Sequence, residues 1–273
     1  MEQVIHSLQD MTYLNWSQVR GSSGTAGSFL KSWESTPEGK IYYKLSNYDA
    51  FHGVTGHECV NEIIVDRLLT VLGVPPLPYR LIHAEIRIDG RTRQTWLCAS
   101  KDFKQRGEKK IALDAYYQAE RFPDESPLDF CIRCGWEDEI RQMLVVDYLI
   151  LNRDRHGANM EVLINREKKT VRLAPLFDHG VSLLSRCPDE AAMLREDLLA
   201  DKPVQCFVGS RSARENLALI PSGRQPELRP LRETDREFLL ADLEDALDPK
   251  WLARIWEMIW KRWESYENLR RQG

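Results

Sequence analysis

The chain has 273 residues, 42% of them hydrophobic and 29% charged, with a formal net charge of −4. That length and composition give one large domain or two lobes with separate cores, and they exclude a disordered or low-complexity chain. The near-balance of charge argues against a general nucleic-acid binder, and the absence of a basic-then-apolar leader or any run of roughly 18 apolar residues leads us to expect a soluble, cytoplasmic protein that does not engage membranes.

In chain order, "RGSSGTAGSFLK" comes first, with Gly21, Gly24 and Gly27 at every third position. Glycines at that density let backbone N–H groups approach an anion closely. Residues 28 to 46 alternate apolar and polar around Pro37-Glu38-Gly39, which predicts a hairpin carrying Lys31 and Lys44. In "HECVNEIIVDRLLTVLG" the residues Val60, Ile63, Ile64, Leu68 and Leu72 share a helical face, and Gly73 ends it before Pro75 and Pro76. "YRLIHAEIRIDGRTRQTWLCAS" predicts a second hairpin turning at Asp89-Gly90. Residues 1–100 therefore read as a small, strand-rich lobe with one prominent helix.

Residues 101–273 read as mainly helical. The C-x-x-C pair in "FCIRCGW" (Cys131, Cys134) is half of a zinc site without a second half, so helix-borne core cysteines are expected, and the chain's six cysteines are expected to be reduced thiols. "WEDEIRQMLVVDYLIL" predicts a strong helix in which Asp147 interrupts an apolar face as a brace for the loop that follows. "EVLIN" and "TVRLA" predict short strands about the turn "REKK", and residues 190–273 predict a return to helices. "PSGRQPELRPLRETD" is expected to be a surface connection. Trp251, Trp256, Trp260 and Trp263 are expected to pack a terminal helix rather than to form a partner-binding stripe.

Between the strong helix and the end of this hairpin lies "NRDRHGANMEVLINREKKTVRLAPLFDHG", residues 152 to 180. Asp154 and Asn159 are spaced D-x-x-x-x-N, and the hairpin returns Asp178 beside them. Phosphoryl transfer needs an acceptor for a hydroxyl proton and hard oxygen ligands for Mg2+ near a triphosphate. One carboxylate here can act as base while the amide oxygen and second carboxylate hold metal. His156 and His179 are expected to brace these loops by hydrogen bonds rather than to ligate metal.

"DRHGAN" followed by "APLFDHG" resembles the catalytic loop and metal-binding segment of HipA-like serine/threonine kinases, the bacterial toxin-antitoxin kinases. The resemblance implies an α+β, two-lobed protein-kinase-like fold with a strand-rich N-lobe and a mainly helical C-lobe. It implies ATP and Mg2+ as cofactors, Asp154 as catalytic base, and Asn159 and Asp178 as metal ligands. Lys44 in "YYKLS" matches the phosphate-binding lysine, with Lys31 next in line. Glu62 on the following helix matches its acidic partner, although Glu58 lies one turn away. The phosphate-covering loop would comprise Gly21, Ser22, Ser23, Gly24, Thr25 and Gly27, and the backbone from Ala99 to Lys101 would meet adenine.

The same resemblance implies autophosphorylation of the glycine-rich loop, at Ser22 or Ser23, which would repel the triphosphate. The chain reaches that loop by about residue 21, so the extra N-terminal subdomain of full-length relatives is expected to be absent, and a separately encoded antitoxin or subdomain-like partner to replace it. Expected partners are thus a protein acceptor and such a partner. Three other classes use similar residues: a lipid kinase with its own "DRH..N" loop, a nucleotide-binding pseudokinase, and a metal-dependent phosphoesterase. The last wants more His and Asp ligands than this chain offers.

Overall fold

The computed structural model describes residues 2–17, 29–49 and 51–272. Its N-terminal sheet contains β1 (Val4–Asp10), β2 (Lys31–Thr36) and β3 (Gly39–Leu45); a small hairpin of β4 (Tyr48–Asp49) and β5 (Gly53–Val54) and the helix α1 (Glu58–Leu72) lead to β6 (Tyr79–Ile88) and β7 (Arg91–Lys101). The spatial order is β1-β6-β7-β3-β2. Both expected hairpins form. Gly39 has φ 127°, while Asp89 and Gly90 have φ 48° and 73°, the paired positive values that match strand twist in a two-residue turn. β1 was not expected, because only Val4 of its seven residues is buried; it exists by pairing in parallel with the edge of β6, Val4 opposite Leu81.

α1 starts at Glu58 and stops at Gly73, whose left-handed backbone (φ 78°) returns its N–H to the last turn. The expected apolar face is buried, and so is most of the rest of the helix. Its polar side chains are paired accordingly. Arg67 donates to the carbonyls of Leu239 (3.1 Å) and Ala241 (2.7 Å), and Asp66 accepts from Gln3 (2.7 Å) and from the N–H of Tyr79 (3.2 Å). The sheet face beneath α1 shares one core with the C-terminal half, from Ile63, Leu68 and Leu81 to Leu149 and Ile150. The opposite face buries Tyr43, Leu45, Ile82 and Leu97 under Met11 and Leu14.

Beyond Lys101 the chain forms β8 (Glu108–Ala112), α2 (Leu113–Glu120), α3 (Pro127–Arg133) and α4 (Glu137–Ile150). A 3-10 turn at Gly157–Asn159, β9 (Glu161–Asn165), β10 (Thr170–Leu173), α5 (Glu190–Arg195), α6 (Ala213–Leu217), α7 (Asp235–Leu240) and α8 (Pro249–Gln272) complete it. β9 and β10 form the expected hairpin, but β8 joins it as a third antiparallel strand in a stretch expected to be helical. Residues 190–273 are also less helical than expected: α5 to α7 are one or two turns long, and much of 196–234 is irregular but hydrogen-bonded.

"PSGRQPELRPLRETD" runs over the surface, anchored by buried Leu231 and by the Arg229 N–H on the carbonyl of Leu72 (2.9 Å). All six cysteines are free thiols, and Cys131 is buried in the core. Trp256 and Trp263 are buried and Trp251 and Trp260 pack against the same core, as a terminal packing helix requires. Among the described residues, no helix is long and apolar enough to cross a membrane.

α8 is clamped by Arg262, 1% exposed, which donates to the carbonyls of Tyr148 (3.1 Å), Leu198 (2.8 Å) and Ala200 (2.7 Å). Arg262→Ala strands three carbonyls and removes a packed stem. We expect a loss of about 3 kcal/mol in urea unfolding, at unchanged m-value.

Candidate active site

α4 ends at Leu151, whose left-handed backbone (φ 48°) is uncommon for a bulky side chain and turns the chain sharply into the loop at Asn152. Asp147, on the last turn of α4, then braces that loop as expected. Its carboxylate takes a two-pronged contact from Arg155 (2.9 and 3.0 Å) and one from the Asn152 amide (2.9 Å). Arg155 is 1% exposed, and its remaining nitrogen donates to the carbonyls of Phe177 (2.9 Å) and Asn159 (3.2 Å). One buried guanidinium therefore joins α4, the loop and the segment leading to Asp178. Sequence reasoning passed over Arg155, because an arginine in a polar loop carries no sign of burial.

Asn159 sits on the 3-10 turn and donates its amide nitrogen to the carbonyl of Asp154 (2.8 Å) and to its carboxylate (3.3 Å). Both partners are acceptors, so the amide oxygen points the other way and, among the described residues, receives no hydrogen bond. His156 accepts from the Ala158 N–H through Nδ1 (3.2 Å), and its Nε2 lies 3.6 Å from the Asp154 carboxylate. Burial pushes the Asp154 carboxyl upward and Asp178 adds to this, against His156 and Asn159, so that its proton affinity is raised overall.

The β9–β10 hairpin brings Asp178 back as expected, in a left-handed conformation (φ 57°) that aims its side chain into the cleft. There Lys44 lies in direct contact with the Asp178 carboxylate and 2.9 Å from Glu62. Lys31 reaches Asp178 from the other side at 3.7 Å. Glu62 is fully buried and also accepts the N–H groups of His179 (2.9 Å) and Gly180 (3.1 Å). Burial opposes the charged form of all three groups, yet their mutual attraction outweighs it: both carboxyls are held below the usual range and the Lys44 ammonium well above its own.

The structure thus pairs Lys44 with Glu62, not Glu58. Glu58 instead accepts from the Asn47 N–H (3.0 Å) and packs under Gly180, where a Cβ would lie 2.9 Å from its own. His179 is buried with Nδ1 3.7 Å from Glu62, in the position of a brace. The cleft between the lobes is lined by Tyr42, Lys44, Ser100, Phe103, Phe177 and Asp178. Lys110 of the unforeseen β8 also enters it, 3.4 Å from Asp102 and 4.8 Å from the centre of the Phe103 ring.

Of the expected adenine-contacting stretch, Ala99 is buried on the opposite face of the sheet and paired with both Tyr43 and Arg80. Among the described residues Lys101 pairs with Ile41 and, since β6 begins opposite Ser100, has no ladder partner on its other edge. Its side chain pairs with the exposed Glu38. Gly21, Ser22, Ser23, Gly24, Thr25 and Gly27 lie outside the described residues.

Lys44→Met leaves two buried carboxylates facing each other without a cation. We expect a loss of about 3–5 kcal/mol, measured by urea unfolding at pH 7, and partial recovery in the Lys44→Met/Glu62→Leu double variant. The low carboxyl pKa values fix the sign of the acid response. Stability from Glu62 and Asp178 is complete above their unfolded values, near 4, and is lost as pH falls toward their folded ones.

No family model matches this sequence, and no curated protein matches it. Solved structures do. The Helicobacter pylori proinflammatory kinase CtkA aligns with a TM-score of 0.59 at 14% identity, covering 93% of both chains. HipA from the Shewanella oneidensis MR-1 toxin-antitoxin system, solved with HipB and operator DNA, aligns with a TM-score of 0.53 at 15% identity, covering 93% of this chain and 68% of HipA. The chain therefore has the two-lobed, α+β HipA-like kinase fold.

Proposed function

We propose that this chain is an ATP- and Mg2+-dependent protein serine/threonine kinase of the HipA-like type. The observation that carries the reading is the buried Lys44–Glu62–Asp178 triad, with the Asp154–Asn159 loop near enough for the Asp178 charge to act on Asp154. The fold shared with CtkA and HipA supports a phosphotransferase.

In this reading, Lys44, with Lys31 beside it, donates to phosphate oxygens of ATP while Glu62 keeps its ammonium in place. The aromatic walls Tyr42, Phe103 and Phe177 enclose the base, and the unpaired backbone edge of Lys101 is the group available to adenine. Asp178 and the amide oxygen of Asn159 are hard oxygen donors suited to Mg2+, which usually takes one or two protein groups and completes its shell with phosphate and water. Bound there, Mg2+ would supply neutralisation of phosphate charge. Asp154 accepts the proton of the attacking serine or threonine hydroxyl. Its raised proton affinity suits that task, and the hydrogen bond from Asn159 holds its carboxylate in position.

In this reading the protein is cytoplasmic, and the family resemblance adds two further parts: a separately encoded antitoxin-like or subdomain-like partner, and self-inhibition through phosphorylation of Ser22 or Ser23. A phosphate on that loop would bring roughly −1.5 to −2 charges against the triphosphate.

Asp154→Asn should lower kcat by about 10²- to 10⁴-fold while nucleotide still binds, read from phosphate transfer and from titration with a fluorescent ATP analogue. Near-normal turnover would remove Asp154 from the role. After incubation with Mg-ATP, mass spectrometry should find phosphate on Ser22 or Ser23, together with weakened ATP affinity. Active enzyme with an unmodified loop would exclude the self-inhibition.

A further inference from the structure

The Asp154 loop is laced to the chain on either side of it. The Arg153 N–H donates to the carbonyl of Val181 (3.0 Å), the Leu183 N–H to that of Ile150 (2.6 Å), and the Gln205 N–H to that of Arg153 (3.2 Å). After Asp178 the chain buries Ser182, Leu183 and Leu184, with Leu183 left-handed at φ 53°. It then turns through hydrogen bonds from Ser185 to Ser182 (3.1 Å) and from Cys187 to Leu184 (2.9 Å). That turn brings Arg186 to the surface a few residues beyond the Val181 and Leu183 ties to the Asp154 loop, within electrostatic reach of Arg153 and Asp154.

Among the described residues neither arginine is in an ion pair with a carboxylate. Arg186 is exposed, and among the described residues it has neither an ion pair nor a side-chain hydrogen bond. Among the described residues, Arg153 makes one side-chain hydrogen bond, from Nε to the carbonyl of Pro203 (2.7 Å). Burial first and Arg186 second disfavour the charge on Arg153; the nearby Glu196, which would favour it, is itself in contact with Lys202. Arg186 in turn favours the ionised form of Asp154. The contrast is with Arg155, one position from the base, whose charge is fully matched by Asp147. Two like charges kept together on a rigidly laced turn cost free energy that a bound anion would relieve.

We propose that Arg153 and Arg186 form an acceptor-side anion site, which recognises a carboxylate or phosphate on the residue flanking the hydroxyl to be phosphorylated. The site is distinct from the triphosphate side of the cleft, where Lys44 and Lys31 converge on Asp178. Guanidinium groups suit it, since their forked donors match both anions. Preferred acceptors are then serine or threonine peptides in an acidic or already phosphorylated context. This rests on the kinase reading and specifies its substrate class.

The test uses the full chain with Mg-ATP and three sets of serine peptides that differ only in their flanking residues: glutamate, phosphoserine or lysine. KM should be lower by about tenfold for the two anionic sets than for the lysine set. Arg186→Glu should invert that order of KM between the peptide sets, which a merely structural arginine would not do, and Arg186→Gln should abolish the discrimination. A phosphoserine set preferred over the glutamate set would identify a phosphate as the anion, and the reverse a carboxylate. Equal KM across the sets, or an Arg186→Glu effect of one common factor on all three, would overturn the site. Transfer to none of the peptides by enzyme that binds Mg-ATP would overturn it too, as would transfer that appears only with added RNA. Titration of the wild type with a fluorescent ATP analogue reads the kinase assignment separately: no nucleotide binding would overturn both.

Discussion

A lysine ammonium buried between two carboxylates is the constraint on which this structure turns. Desolvating three charges is expensive, and the arrangement holds only while all three remain together. Lys44 comes from β3, Glu62 from α1 and Asp178 from the segment after β10. Meeting the electrostatic demand of one cation therefore brings the sheet, the helix and the C-terminal half into a single register. Both oxygens of Glu62 are further occupied by the N–H groups of His179 and Gly180, so the backbone after Asp178 is held as firmly as its side chain. Gly180 is required at that point because the helix leaves no room for a Cβ.

The same demand explains why α1 is buried nearly all round. Its polar residues face both lobes. Asp66 meets the Tyr79 N–H and Gln3, Arg67 meets the carbonyls that end α7, and the final carbonyl of the helix meets Arg229. Moving this helix away from the sheet would strand an acid, a guanidinium and the partner of Lys44 at once. Each of those is a buried polar group whose unpaired cost exceeds that of an ordinary surface contact.

A second buried ion pair, Asp147 with Arg155, does for the Asp154 loop what the triad does for the cleft. Arg155 gathers the carbonyls of Asn159 and Phe177, so Asp154, its neighbouring amide and the approach to Asp178 share one support. Backbone strain gathers in the same place. Leu151, Asp178 and Leu183 are all left-handed without being glycine, a conformation that costs of order 1–3 kcal/mol each and persists only where its surroundings over-determine it. The two ion networks and the shared core supply that determination.

Much of this was legible in the sequence wherever a signal is local. The D-x-x-x-x-N spacing, the return of Asp178 through a short hairpin, the turns at Gly39 and at Asp89-Gly90, and the apolar face of α1 each lie within a few residues of their cause. Backbone preference and periodicity fix such features without reference to the rest of the chain. β1 and β8 were not legible, because each is a weakly patterned strand that exists only by pairing with an edge formed elsewhere. The choice of Glu62 over Glu58 was undecided for the same reason. One helical turn separates them, and only the packing of α1 between sheet and loop decides which carboxylate meets Lys44. Likewise Ala99 and Lys101 look equivalent along a strand, until the starting point of β6 leaves one of them paired on both sides and the other on one. Sequence by itself determined the chemical groups and their local order; tertiary structure decided which charges are buried together, since desolvation depends on everything that packs around a group.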